Sequence, residues 1–208
     1  MVTKILSVII FIVSLQGFSN GAFFDKFKNY PYRINRNNEY YRMLTSGFLH
    51  GGWVHLLINL FVFWQFGSFV EDYIFVSYYG IVWGRILYLL LFLLSVIFAN
   101  IYSTIKNKNN PYYASIGASG AVSAILFSYT LFSPWSLIYL YAVIPIYTIV
   151  AGVLYLIYSQ WASNNSNDHI DHSAHFYGAL FGIIYTLVVI PPAFGNFINE
   201  LINNFPFK

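Results

Sequence analysis

The chain has 208 residues, of which 10 are Lys or Arg and 7 are Asp or Glu. Charged residues make up 8%, while 58% are hydrophobic and 22% aromatic; an ordinary soluble domain is roughly 25% charged. This excludes a disordered tail, which needs low hydrophobicity. It also excludes a nucleic-acid binder, which needs a dense basic face rather than a net charge of +3 spread over the whole length. The absence of cysteine removes disulfides, thiolate chemistry and Cys-ligated zinc. The composition is that of a multi-pass integral membrane protein, and at roughly 20 apolar residues per span the length admits up to about six spans.

The first apolar run, Ile5 to Phe18, follows a single Lys4 and reads as a transmembrane helix. The alternative is a signal peptide, but Gly17-Phe18-Ser19-Asn20-Gly21-Ala22 offers no clear A-x-A cleavage pattern. From Asn20 to Arg42, Asp25, Lys26, Lys28, Arg33, Arg36 and Glu39 alternate with Phe and Tyr, which suits a loop at headgroup level. A second span is expected over 51–70, ending at Glu71-Asp72, and a third over 76–102 with Arg85 snorkelling near its start. Lys106 and Lys108 lie in the polar stretch that closes it. A fourth, short span runs from Ser119 to Phe132 and stops at Ser133-Pro134. A fifth is expected over 137–158 despite Pro145, which buried neighbours can tolerate, and a polar loop follows to Asp168. A sixth covers 170–190 and stops at Pro191-Pro192. The expected fold is an all-α, six-helix membrane domain over residues 1–192, followed by a weakly amphipathic tail, 193–208, left unassigned.

Six spans alternate direction, so the second, fourth and sixth enter from one side. Their entry ends hold most of the unusual polar chemistry: His50, His55 and Asn59; Ser119; and Asp171, His172 and His175. Polar groups are costly within spans and tend to mark function there. Gly117-Ala118-Ser119-Gly120 stands at a loop-to-helix junction. Glycines there allow a tight turn and close approach of a substrate carbonyl. Ser119 falls in the first helical turn, where N–H groups lack intrahelical partners and suit a developing oxyanion. The competing reading is that small residues such as Gly120 and Ala124 simply pack helices. His175 precedes Gly178 and Gly182, which lie one turn apart and form a smooth face for a neighbouring helix. A histidine beside a serine is the minimal nucleophile and general base pair. His55 and Asn59, at i and i+4, share a helix face and can both donate hydrogen bonds to an oxyanion, whereas His50 reads as a brace for its loop.

At these residues the sequence resembles the rhomboid family of intramembrane serine proteases. The resemblance is carried by Tyr41-Arg42, Thr45, Phe48, His50, His55 and Asn59, then Gly67 with Glu71, Gly117-Ala118-Ser119-Gly120, and Ala174-His175 with Gly178 and Gly182. It implies a six-helix bundle with a Ser119–His175 dyad below the membrane surface, open to water on the extracytoplasmic side of a cell inner membrane. It further implies an oxyanion hole from His55, Asn59 and the Ser119 N–H, structural roles for Arg42 and Glu71, no cofactor or metal, and a transmembrane segment of another protein as substrate. Three departures stand out. Tyr41 replaces a common tryptophan. Ser123 stands where an aromatic residue one turn after the serine often stacks on the histidine. With the N-terminus inside, Lys26, Lys28, Arg33, Arg36, Arg42, Lys106 and Lys108 fall outside, seven of the ten basic residues, against the positive-inside trend.

Three other readings remain at the level of sequence. An inactive rhomboid-like protein would bind membrane clients without cutting them. A metalloprotein would use His169, His172 and His175, three apart, with His55 as imidazole ligands. A transporter would line its path with the same polar groups. Asp171, one turn before His175, is either an orienting acid or a solvated residue at a helix entrance.

Overall fold

The computed structural model describes residues 1–140, 143–165 and 170–206. The chain is mostly helical. Helix α1 (Val2–Ser19) is followed by two short helices, α2 (Gly21–Phe27) and α3 (Pro31–Asn37), then α4 (Arg42–Thr45) and a 3₁₀ turn, Ser46–Phe48. Helix α5 (Trp53–Phe69) continues through a π-helical stretch, Val70–Phe75, into α6 (Val76–Lys106). Then come α7 (Ser119–Phe132), strands β1 (Leu137–Leu140) and β2 (Ile144–Tyr147), α8 (Thr148–Asn165), α9 (His172–Val189) and α10 (Pro192–Asn203). Among the described residues, three stretches are long and apolar enough to cross a bilayer: Val2–Ser19, Trp53–Lys106 and His172–Val189.

The 54-residue stretch Trp53–Lys106 folds back on itself. Gly80 has φ 71° and ψ 175°, a left-handed φ that side chains with a Cβ avoid, and it breaks the helix. Beyond it α6 turns back: Arg85 Nε lies 3.3 Å from Glu71 Oε1, Phe92 meets Phe63 of α5 with ring centroids 5.2 Å apart, and Asn100 Nδ2 donates to Met43 O of α4 at 2.9 Å. Arg85 is therefore half-buried beside Glu71 rather than snorkelling free. Glu71 also accepts from the N–H groups of Val2 and Thr3, each at 2.8 Å, tying the start of α1 to the π-helical stretch after α5. At its other end α1 is held by Ser14 Oγ, which lies 2.9 Å from His50 Nδ1.

The fifth expected span needs correction. Strands β1 and β2 pair antiparallel, with Tyr139 opposite Pro145, so the fold is not wholly α-helical. Pro145 lacks an N–H and breaks helices, but an edge strand accommodates it. The flanking Ile, Val and Tyr favour extended chain. Thr148 then starts α8, its hydroxyl donating to Ser133 O at 2.6 Å and Pro134 O at 2.9 Å. Helix α8 continues to Asn165, through most of the expected polar loop. The headgroup loop also differs, since α2 and α3 give it helical structure, and the unassigned tail carries α10.

Arg42, only 1% exposed, holds this first loop together. Its Nη1 donates to Asp25 O at 2.7 Å and Lys28 O at 3.2 Å, and its Nε pairs with Glu39. Partial burial pushes the Glu39 carboxyl up, but hydrogen bonds from Arg42 and Asn37 offset this and hold it below its ordinary value. Truncation to alanine strands two carbonyls and a carboxylate. Arg42→Ala is expected to cost about 3 kcal/mol, read as a lower thermal midpoint in detergent, and an unchanged midpoint would refute the role.

Candidate active site

Ser119 is the first residue of α7, and Val122 N–H makes an intrahelical bond to Ala118 O at 2.9 Å. The Ser119 N–H thus belongs to the first turn, whose donors have no partner within the helix. The approach is fixed by Gly117, with φ 120°, which donates its N–H to Ser46 O at 2.9 Å. A Cβ there would lie 2.9 Å from His55 Cε1 and 3.6 Å from Ser119 Oγ, so Gly117 leaves open the space between these two side chains.

Helix α9 brings His175 to the same place. Its Nε2 lies 2.8 Å from Ser119 Oγ, within the hydrogen-bonding range expected of a nucleophile and its base. The approach of α7 and α9 is backbone to backbone: a Cβ on Gly178 would collide with Gly120 O, and one on Gly182 with Ala124 O. Gly120 is equally tight, with space for a Cβ filled by the Ala99 Cβ at 2.5 Å. Below, Ser128 Oγ meets Thr186 Oγ1 at 2.7 Å.

His55, Asn59, Ser119 and His175 line a cavity of about 1030 Å³, together with Tyr155, Ser123 and Asp171. Asn59 donates one amide hydrogen to His55 O at 2.8 Å; an amide nitrogen carries two, so one remains for a ligand. His50 lies outside this lining. Its ring is fully buried, edge-on to His55 with centroids 4.8 Å apart. Burial, and then His55, push its pKa down to about 3, so it is neutral at physiological pH.

Asp171 caps α9. One oxygen accepts from Ala174 N–H at 3.0 Å and Ser173 Oγ at 2.5 Å, and the other from Tyr113 OH at 2.8 Å. Burial and this carboxylate push the Tyr113 phenol up, so it stays a donor. One oxygen of Asp171 thus caps α9, and the other ties that helix to the loop before Ser119. Among the described residues no three histidine or carboxylate groups gather as a metal site; His169 lies outside the described residues.

Sequence reasoning missed two features. Asn29 is fully buried, pairs its backbone with Ser115, and donates from Nδ2 to Ser115 Oγ at 3.0 Å and Asn100 Oδ1 at 3.1 Å. It anchors the loop before Ser119 to α6 and the first loop. Its only signal in the sequence was a polar residue between aromatics. The second is Tyr155 of α8, whose ring stacks on His175 with centroids 6.0 Å apart and planes 18° apart.

A family model for the Rhomboid domain matches residues 37–192, a range that includes His55, Asn59, Ser119, Tyr155 and His175. The chain belongs to the rhomboid family. As a rhomboid with stretches long enough to span a bilayer, it is an integral membrane protein. It is 29% identical over 150 residues to the mitochondrial presenilin-associated rhomboid-like proteins of Mus musculus and Homo sapiens, covering 69% of this chain and 36% of each relative. It is 23% identical over 159 residues to rhomboid-like protease 5 of Toxoplasma gondii, covering 76% of this chain and 17% of the relative. The aligned regions thus span about a third or less of these relatives.

Proposed function

We propose that this rhomboid is an intramembrane serine endopeptidase that cuts transmembrane segments of other proteins. The observation that carries the reading is the 2.8 Å contact between Ser119 Oγ and His175 Nε2 at the wall of the cavity. Six helices, α1, α5, α6, α7, α8 and α9, cross the membrane in this reading, and the cavity opens on the extracytoplasmic side of a cell inner membrane. His175 takes the proton of Ser119 as Oγ bonds to the scissile carbonyl carbon. The oxyanion accepts from Asn59, His55 and the Ser119 N–H. Collapse of this intermediate breaks the C–N bond, and His175 gives its proton to the departing amine. Water then attacks the acyl-enzyme, its proton passing through His175 back to Oγ. The substrate helix has to unwind to present its carbonyl, so a residue of low helix propensity near the cut is favoured, Gly most strongly and Ser over Ala.

The deciding experiment pairs a reporter membrane substrate with a fluorophosphonate probe on purified protein. Wild type is expected to cleave and be labelled, and Ser119→Ala to do neither. A folded wild type that does neither leaves the inactive client-binding reading; chelator-sensitive cleavage indifferent to Ser119→Ala leaves the metalloprotein. The oxyanion donors make a graded prediction. Asn59→Ala is expected to lower kcat by about 10²- to 10³-fold, the usual loss for one such donor, with labelling slowed in parallel. Wild-type kcat in that variant would remove Asn59 from the oxyanion hole.

A further inference from the structure

The imidazole of His175 is gripped on its edge by Ser119 and on its flat side by Tyr155, and the grip on Tyr155 leads back to α7. Ser123 Oγ donates to Ser119 O at 2.8 Å. A hydroxyl has one proton, so at its other contact, 2.7 Å from Tyr155 OH, Ser123 accepts and the phenol donates. The turn that carries the nucleophile therefore also sets the height and tilt of the ring that flanks the base. One turn along, a second aromatic contact joins the same two helices: Tyr158 of α8 meets His172 of α9 edge-on at 5.4 Å, and His172 meets His175 edge-on at 5.9 Å. A centroid separation of 6.0 Å with nearly parallel planes is an offset stack, within the range where aromatic pairs attract.

We propose that Tyr155, held by the Ser123 hydroxyl, is the positioning residue for the His175 imidazole in this chain, so that orientation of the general base depends on helix α8 as well as on α7 and α9. The assignment rests on the protease reading. A histidine side chain turns about two bonds, and the parallel face of the phenol restrains the tilt of the ring that meets Ser119 through Nε2. The stack joins α8 to α9 and the hydroxyl pair joins it to α7, so the ring beside His175 is tied to both helices that carry the reacting side chains.

The test uses the purified full chain with the reporter substrate, and wild type and Ser119→Ala as references. Tyr155→Leu keeps apolar bulk but removes the flat face. It is expected to lower kcat about 30-fold, within the ~10²-fold range for a misplaced catalytic group, while KM stays within about twofold. Tyr155→Phe keeps the face and loses only the hydroxyl, so it retains kcat within about threefold of wild type. Ser123→Ala is expected to match it, and Ser123→Ala/Tyr155→Phe to be no worse than either alone, because both remove one interaction. Wild-type kcat in Tyr155→Leu, a loss confined to KM, or Phe as damaging as Leu overturns the assignment. Should Leu lower the thermal midpoint, the Ser123/Tyr155 double cycle decides: non-additive losses support the assignment and additive losses overturn it. A wild type that matches Ser119→Ala overturns the protease reading and this assignment with it; an active wild type beside an equally active Tyr155→Leu overturns this assignment alone.

Discussion

His175→Ala is expected to lower kcat for the reporter substrate by about 10⁴-fold, Ser119→Ala to do the same, and the double variant to lose no more than either single one, since members of a nucleophile–base pair act as a unit. The physical reason is the 2.8 Å contact. Without the imidazole, Ser119 is an ordinary alcohol and has no partner to take its proton or to protonate the leaving amine. Without Oγ, the imidazole has no nucleophile to activate, and the chain has no cysteine to take its place. Both side chains are half-buried at the cavity wall, so neither substitution empties a core site, and thermal midpoints are expected within a few degrees of wild type. A His175→Ala variant with full cleavage would show that the histidine is packing only. Additive losses in the double variant would show that the two groups serve different steps.

How much of this was legible depends on the range of each signal. Helix α7 begins at Ser119 and ends at Phe132, as read, because a glycine-bearing turn opens it and Ser133-Pro134 closes it; both signals are local. The convergence of His55, Asn59, Ser119 and His175 followed from alternation of spans, which needs only their order. Pro145 misled, because tolerance of proline in a buried helix was weighed above the extended preference of the residues around it. Tyr155 was out of reach for a different reason. The sequence showed that Ser123 lacks an aromatic ring but could not show which ring fills the space, since Tyr155 lies on another helix, 32 positions away. Asn29 and Asn100 likewise gain meaning only when the fold brings together positions 71 apart.

The other large effect lies one turn from the dyad. Gly178→Ala is expected to lower stability by about 1–3 kcal/mol, the usual cost of overpacking, and kcat by at least about 10²-fold. A single methyl on Gly178 would meet Gly120 O, C and Cα, with the latter two at 2.8 and 2.9 Å. These atoms belong to backbone and cannot rotate away, so α7 and α9 must separate. Gly120 is bonded to Ser119, and Gly178 lies three residues after His175, so the separation acts almost directly on the Oγ–Nε2 distance. Gly182→Ala meets Ala124 O, Cα and C in the same manner but one turn further away. Its stability loss is expected to be similar and its loss of kcat smaller. Gly195→Ala in α10 is the control, because nothing lies within 4 Å of its would-be Cβ and alanine favours a helix over glycine by about 1 kcal/mol. Thermal midpoints in detergent and initial cleavage rates, measured together, separate the two effects. A Gly178→Ala variant with wild-type midpoint and rate would mean that the α7–α9 interface is looser than backbone contact. A lowered midpoint with an intact rate would mean that the dyad tolerates the shift, so its geometry is set by side-chain contacts such as the His175–Tyr155 stack rather than by the spacing of the two helices.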